Sequence, residues 1–115
     1  MASRIVGAAL GDCVHVTGVL NFLGAARRAG HPTEFLGPAI PVERIVEIAV
    51  SGEADVLALS YRLSPNAAEL LLSHLGTALS KARVSGQRMV FGGTEPVARV
   101  AQRTGLFEAV FGAPD

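Results

Sequence analysis

A carboxylate and an imidazole stand close together in Gly11-Asp12-Cys13-Val14-His15-Val16-Thr17-Gly18. A neutral imidazole is a common ligand for transition metals. A carboxylate that accepts from its far nitrogen fixes the tautomer and makes the other nitrogen a better ligand. Asp12 and His15 therefore offer metal ligation through one side chain, tuned by another. A serine, Ser60, and a glycine pair, Gly92-Gly93, follow two later apolar runs. Cys13 is the single cysteine, which excludes an intrachain disulfide and fits a reducing compartment. It reads as a small loop residue, because a reactive thiol needs a lowered pKa. His31, ahead of Pro32 in a turn, and His74, in a helix, read as structural.

The elements that must position these residues alternate along the chain. Ile5–Leu10 reads as a buried strand. Helix 1 is expected from Gly18 to Ala29 with Gly30 behind it, and a short strand at Thr33–Leu36. Helix 2 starts near Pro41, carries Val42, Ile45, Val46 and Ala49 at helical spacing, and stops at Gly52. Asp55–Ser60 is strand 3, with Val56-Leu57-Ala58-Leu59 apolar on both faces. Ser64-Pro65 caps and opens helix 3, which runs to about Arg83. Strand 4 is expected at Arg88–Phe91, followed by a Gly92-Gly93 loop. Thr94 is the expected cap of helix 4, which ends near Thr104, and Leu106–Phe111 contains strand 5.

Alternation of this kind implies a parallel sheet with helices on both faces. Five strands and four helices fit a flavodoxin-like, doubly wound α/β sheet of order 2-1-3-4-5, with residues 1–115 forming one domain. Its switch point lies between strands 1 and 3, where ligands bind outside the carboxyl ends. The loops carrying Asp12 and His15, then Ser60, Tyr61, Arg62 and Leu63, then Gly92-Gly93, converge there.

In these residues the chain resembles the cobalamin-binding domains. Their signature is Asp-x-His-x-x-Gly after strand 1, Ser-x-Leu after strand 3 and Gly-Gly after strand 4. Asp12, His15 and Gly18 match the first, Ser60 and Leu63 the second, and Gly92-Gly93 the third. Phe111-Gly112-Ala113-Pro114 is similar to the family's chain after strand 5. Two spacings differ: Cys13 and Val14 both separate Asp12 from His15, and Tyr61-Arg62 replaces a single residue. The resemblance implies that His15 is the lower axial ligand of cobalt, displacing the cofactor's benzimidazole, with Asp12 behind its imidazole. It also implies that Gly18, Ser60, Leu63, Gly92 and Gly93 line a channel for the nucleotide tail. The implied cofactor is cobalamin, with the adenosyl or methyl form undecided. The implied role is a carrier for a mutase (isomerase) or methyltransferase partner domain or subunit. The chain is too short to include a barrel and lacks a preceding helical cap, which favours a small mutase subunit or an excised domain. The alternative is a cofactor-free scaffold or interaction domain whose shifted spacings record a lost site.

Composition bounds the remaining classes. The chain has 115 residues, 50% hydrophobic and 17% charged, which excludes disorder. Net charge is zero and nine arginines with one lysine are scattered, so there is no footprint for nucleic acid. No run reaches the ~20 apolar residues of a membrane span, and no signal peptide opens the chain. A cytoplasmic setting is expected, with a homodimer as a further option. No Gly-x-Gly-x-x-Gly, P-loop or Gly-x-Ser-x-Gly occurs.

Overall fold

The computed structural model describes residues 2–113. The elements in chain order are β1 (Ile5–Ala9), α1 (Thr17–Arg28), β2 (Thr33–Phe35), α2 (Val42–Ser51), β3 (Val56–Tyr61), α3 (Pro65–Lys81), β4 (Arg88–Thr94), α4 (Glu95–Thr104) and β5 (Ala109–Ala113). All five strands pair in parallel in the order β2-β1-β3-β4-β5. This is the expected doubly wound, flavodoxin-like sheet.

Local chemistry explains the boundaries. Every residue of β1 and β3 is buried, because both strands lie inside the sheet with helices over both faces. The Ser64 hydroxyl accepts from the Ala67 backbone N–H at 3.1 Å and caps α3, with Pro65 in its first turn. α2 stops where Gly52 turns left-handed at φ 72°. Gly11, at φ 67°, makes the corresponding turn at the end of the first strand.

The two faces of the sheet are covered unequally. α2, α3 and α4 bury Leu10, Ile45, Ile48, Leu57, Leu72, Leu75, Phe91 and Val97 in the larger core. Each such side chain contributes about 1.5–3 kcal/mol through burial. The other face carries α1 alone, whose Val19 and Leu23 pack on Ile5, Val56 and Ala58. Gly7 lets α1 approach closely, since a Cβ there would meet Leu23 Cδ1 at 2.8 Å.

Several ends differ from the expected ones, and the differences concentrate at the carboxyl edge. β3 continues past Ser60 to Tyr61, which pairs with Gly93. Gly92 and Gly93 are not a loop but strand residues, held between β3 and β5 by pairing on both sides. β5 runs beyond Phe111 to Ala113 for the same reason. Thr94 does precede α4, but its side chain makes no cap hydrogen bond. α1 begins at Thr17, one residue early, and α3 stops at Lys81, short of Arg83 at φ 59°. Pro114 of the terminal motif lies outside the described residues.

Candidate cofactor-binding site

A cavity of about 260 Å³ opens at the carboxyl edge between α1 and the sheet. On this face one helix covers five strands, and the cavity lies over the carboxyl halves of β3, β4 and β5. His15, Gly18, Val19 and Phe22 form the helix wall. Ala58 and Ser60 of β3, Val90 and Gly92 of β4, and Phe111 and Gly112 of β5 form the sheet wall. Phe22 and Phe111 face each other across the side, with ring centroids 6.2 Å apart, while Phe111 remains 54% exposed.

Ser60 is the polar feature of the sheet wall. It is 6% exposed, and its Oγ has no hydrogen-bond partner among the described residues. A buried hydroxyl left unpaired costs roughly 1–3 kcal/mol. Its register partner is Gly92, so both positions project onto the α1 face. A Cβ on Gly92 would meet only the Phe111 carbonyl oxygen, at 3.9 Å, and a longer side chain would enter the cavity. Gly93 differs, because a Cβ there would collide with the Tyr61 carbonyl oxygen and crowd Val97 Cγ1 at 3.1 Å. Gly18 is open, with nothing within 4 Å of its Cβ position.

The loop before α1 is pinned from two sides. Leu10 N–H donates to the Ser60 carbonyl at 2.8 Å, and Gly11 N–H to the Ile40 carbonyl at 2.7 Å. Cys13 is fully buried, and its carbonyl accepts from Ala39 N–H at 2.8 Å. These anchors leave Asp12, Val14 and His15 exposed at the edge. The Tyr61 hydroxyl donates to Asp12 Oδ1 at 3.3 Å. Tyr61 is 1% exposed. Burial, then the Asp12 carboxylate, push its phenol above the ordinary value, so it remains a donor at neutral pH.

The structure thus brings His15, Gly18, Ser60, Gly92 and Gly93 to one cavity. Asp12 stands beside it, bonded to Tyr61, and no hydrogen bond joins it to His15 among the described residues. Leu63 lies outside the cavity lining and is 43% exposed. Among the described residues no three His, Cys, Asp or Glu side chains cluster into a metal site.

The profile of the B12 binding domain matches residues 3–114. The chain belongs to the B12-binding domain family. A 1.5 Å crystal structure of a cobalamin-binding protein from Desulfitobacterium hafniense DCB-2 resembles this B12-binding domain with a TM-score of 0.78 at 23% identity. The match covers 95% of this chain and 52% of that one, so this chain spans about half of that protein's length. Comparison with curated proteins gives no match. Among the described residues no helix is long and apolar enough to cross a membrane.

Some cavity residues of this B12-binding domain are not singled out as site residues by the sequence. Phe22 sits on the apolar side of α1, where its spacing reads as ordinary core. Phe111 and Gly112 belong to a strand longer than the apolar pattern suggests. Tyr61 is legible as a neighbour of the site, but its bond to Asp12 spans 49 residues and leaves no local trace.

Proposed function

We propose that this chain carries cobalamin, with the corrin over the carboxyl edge and the nucleotide tail in the cavity beneath α1. The observation that carries this reading is Ser60 Oγ, a buried polar atom without a partner among the described residues, on the wall of that cavity. A heteroaromatic base with a ring nitrogen satisfies that hydroxyl, and the apolar walls from Val19, Phe22, Ala58 and Val90 suit its faces. Gly18 and Gly92 leave the path clear, and Gly93 lets β3 and β4 pair closely beside it.

His15, exposed at the mouth, would hold cobalt in place of the cofactor's own base. Asp12 accepts from Tyr61 through Oδ1, and Oδ2, without a partner among the described residues, receives the far N–H of His15. Leu63 and Val14, 43% and 64% exposed, give the edge apolar surface. When bound, the corrinoid supplies the cobalt–carbon chemistry, and the protein supplies binding and orientation. In this reading the chain is a carrier for a mutase or methyltransferase partner.

The test is a titration of the chain with hydroxocobalamin, followed by visible absorbance, beside His15→Ala and Gly92→Val. Wild type is expected to give a spectrum with the base displaced and histidine bound. His15→Ala is expected to lose that spectrum, and Gly92→Val to bind at least about tenfold more weakly. Binding that is unchanged in both variants contradicts the reading.

A further inference from the structure

Arg62 directly follows β3, is half-buried and lines the same cavity as Ser60 and Gly92. Among the described residues the ion pairs are Arg4–Glu34, Arg44–Glu47, His74–Glu43, Arg88–Glu108 and Arg99–Glu95, and Arg62 takes part in none. Among the described residues no carboxylate lines the cavity. The same cavity is lined by the first turn of the 12-residue helix α1, which opens with Val16 at its N-cap, no side-chain cap and no acidic residue. The first-turn N–H groups and the positive end of the helix dipole are thus uncompensated by any side chain there. Gly18 of that turn stands open on the cavity. The unpartnered Ser60 hydroxyl, 94% removed from solvent by its 6% exposure, marks the same cavity as a ligand site.

A half-desolvated guanidinium without a counter-charge is unfavourable unless an anion joins it. The two positive features share one opening, and Arg presents a planar fork that matches phosphate oxygens. We infer that Arg62 and the first turn of α1 form a phosphodiester subsite at the mouth of the cavity. The inference rests on the carrier reading above and divides the tail between two residues. Arg62 takes the phosphate, and Ser60 takes the base deeper in.

Three corrinoids separate the contributions: cobinamide, which lacks phosphate, ribose and base; cobinamide phosphate, which ends at the phosphate and lacks ribose and base; and hydroxocobalamin. Wild type is expected to bind cobinamide phosphate at least about tenfold more tightly than cobinamide, the scale of one charge-assisted hydrogen bond. Arg62→Gln is expected to erase that step while leaving cobinamide affinity unchanged. Ser60→Ala is expected to weaken hydroxocobalamin alone. Raising salt is expected to shrink the phosphate step in wild type and not in Arg62→Gln. Equal losses for cobinamide and cobinamide phosphate in Arg62→Gln overturn the inference, as does no loss at all. Failure of the carrier reading looks different: wild type then binds none of the three, and the subsite falls with it.

Discussion

Tyr61 and Asp12 are joined by a hydrogen bond from the phenol to Oδ1 at 3.3 Å. β3 runs on past Ser60 to Tyr61, whose buried ring reaches back to the loop of Asp12. The end of β3 is thereby tied to the loop that presents His15.

The bond predicts a modest, measurable stability term. Tyr61→Phe keeps the ring and removes the donor. Urea unfolding is expected to show a loss of about 0.5–1.5 kcal/mol with an unchanged slope. An unchanged midpoint means that Asp12 is held by solvent and not by Tyr61.

Tyr61 is also the only tyrosine, and the chain has no tryptophan. Alkaline ultraviolet titration therefore reads this phenol alone. Its midpoint is expected above the ordinary value of about 10, because burial, then Asp12, raise it. A pKa raised on folding means that the folded state holds the proton longer than the unfolded chain. The associated stability is fully present below about pH 10 and is lost as pH rises through the folded value. Asp12→Asn is expected to move the midpoint down part of the way, since desolvation remains. A wild-type midpoint at the ordinary value contradicts the burial of the phenol.

Gly92 and Gly93 are adjacent but predict opposite phenotypes. Gly92 faces open space, so Gly92→Val is expected to fold normally and to lose cobalamin affinity. Gly93→Ala places a methyl against the Tyr61 carbonyl and is expected to destabilise the free protein by about 1–3 kcal/mol. Thermal unfolding and cofactor titration of both variants separate a ligand cradle from a packing requirement. A stable Gly93→Ala contradicts the second assignment.

Ser60→Ala removes a buried hydroxyl that has no partner among the described residues. The free protein is expected to keep or gain stability, by up to about 1 kcal/mol, while cobalamin affinity falls. A clear loss of stability in the free protein means that Ser60 bonds within the fold.

The strand order was legible because buried runs such as Val56-Leu57-Ala58-Leu59 and punctuation such as Ser64-Pro65 and Gly52 act locally. The strand ends were not. Glycine has no side chain to signal burial, so the apolar pattern stops at Phe91 although pairing continues to Thr94. Ser60 reads as a terminus because its hydroxyl interrupts the apolar run, and Tyr61 beyond it as a loop residue. The candidate site was legible in its motif residues, His15, Gly18, Ser60, Gly92 and Gly93, which do meet at one cavity. The Tyr61 bond to Asp12 and the Phe22–Phe111 wall depend on long-range packing that no short spacing encodes.

The central claim is that a histidine of this chain replaces the cofactor's base on cobalt. Electron paramagnetic resonance of the bound cob(II)alamin, with protein labelled in histidine with nitrogen-15, tests it directly. An axial histidine nitrogen is expected to split each cobalt line into a doublet in labelled protein and a triplet in unlabelled protein. A triplet in both means that the benzimidazole still holds the cobalt and contradicts the claim.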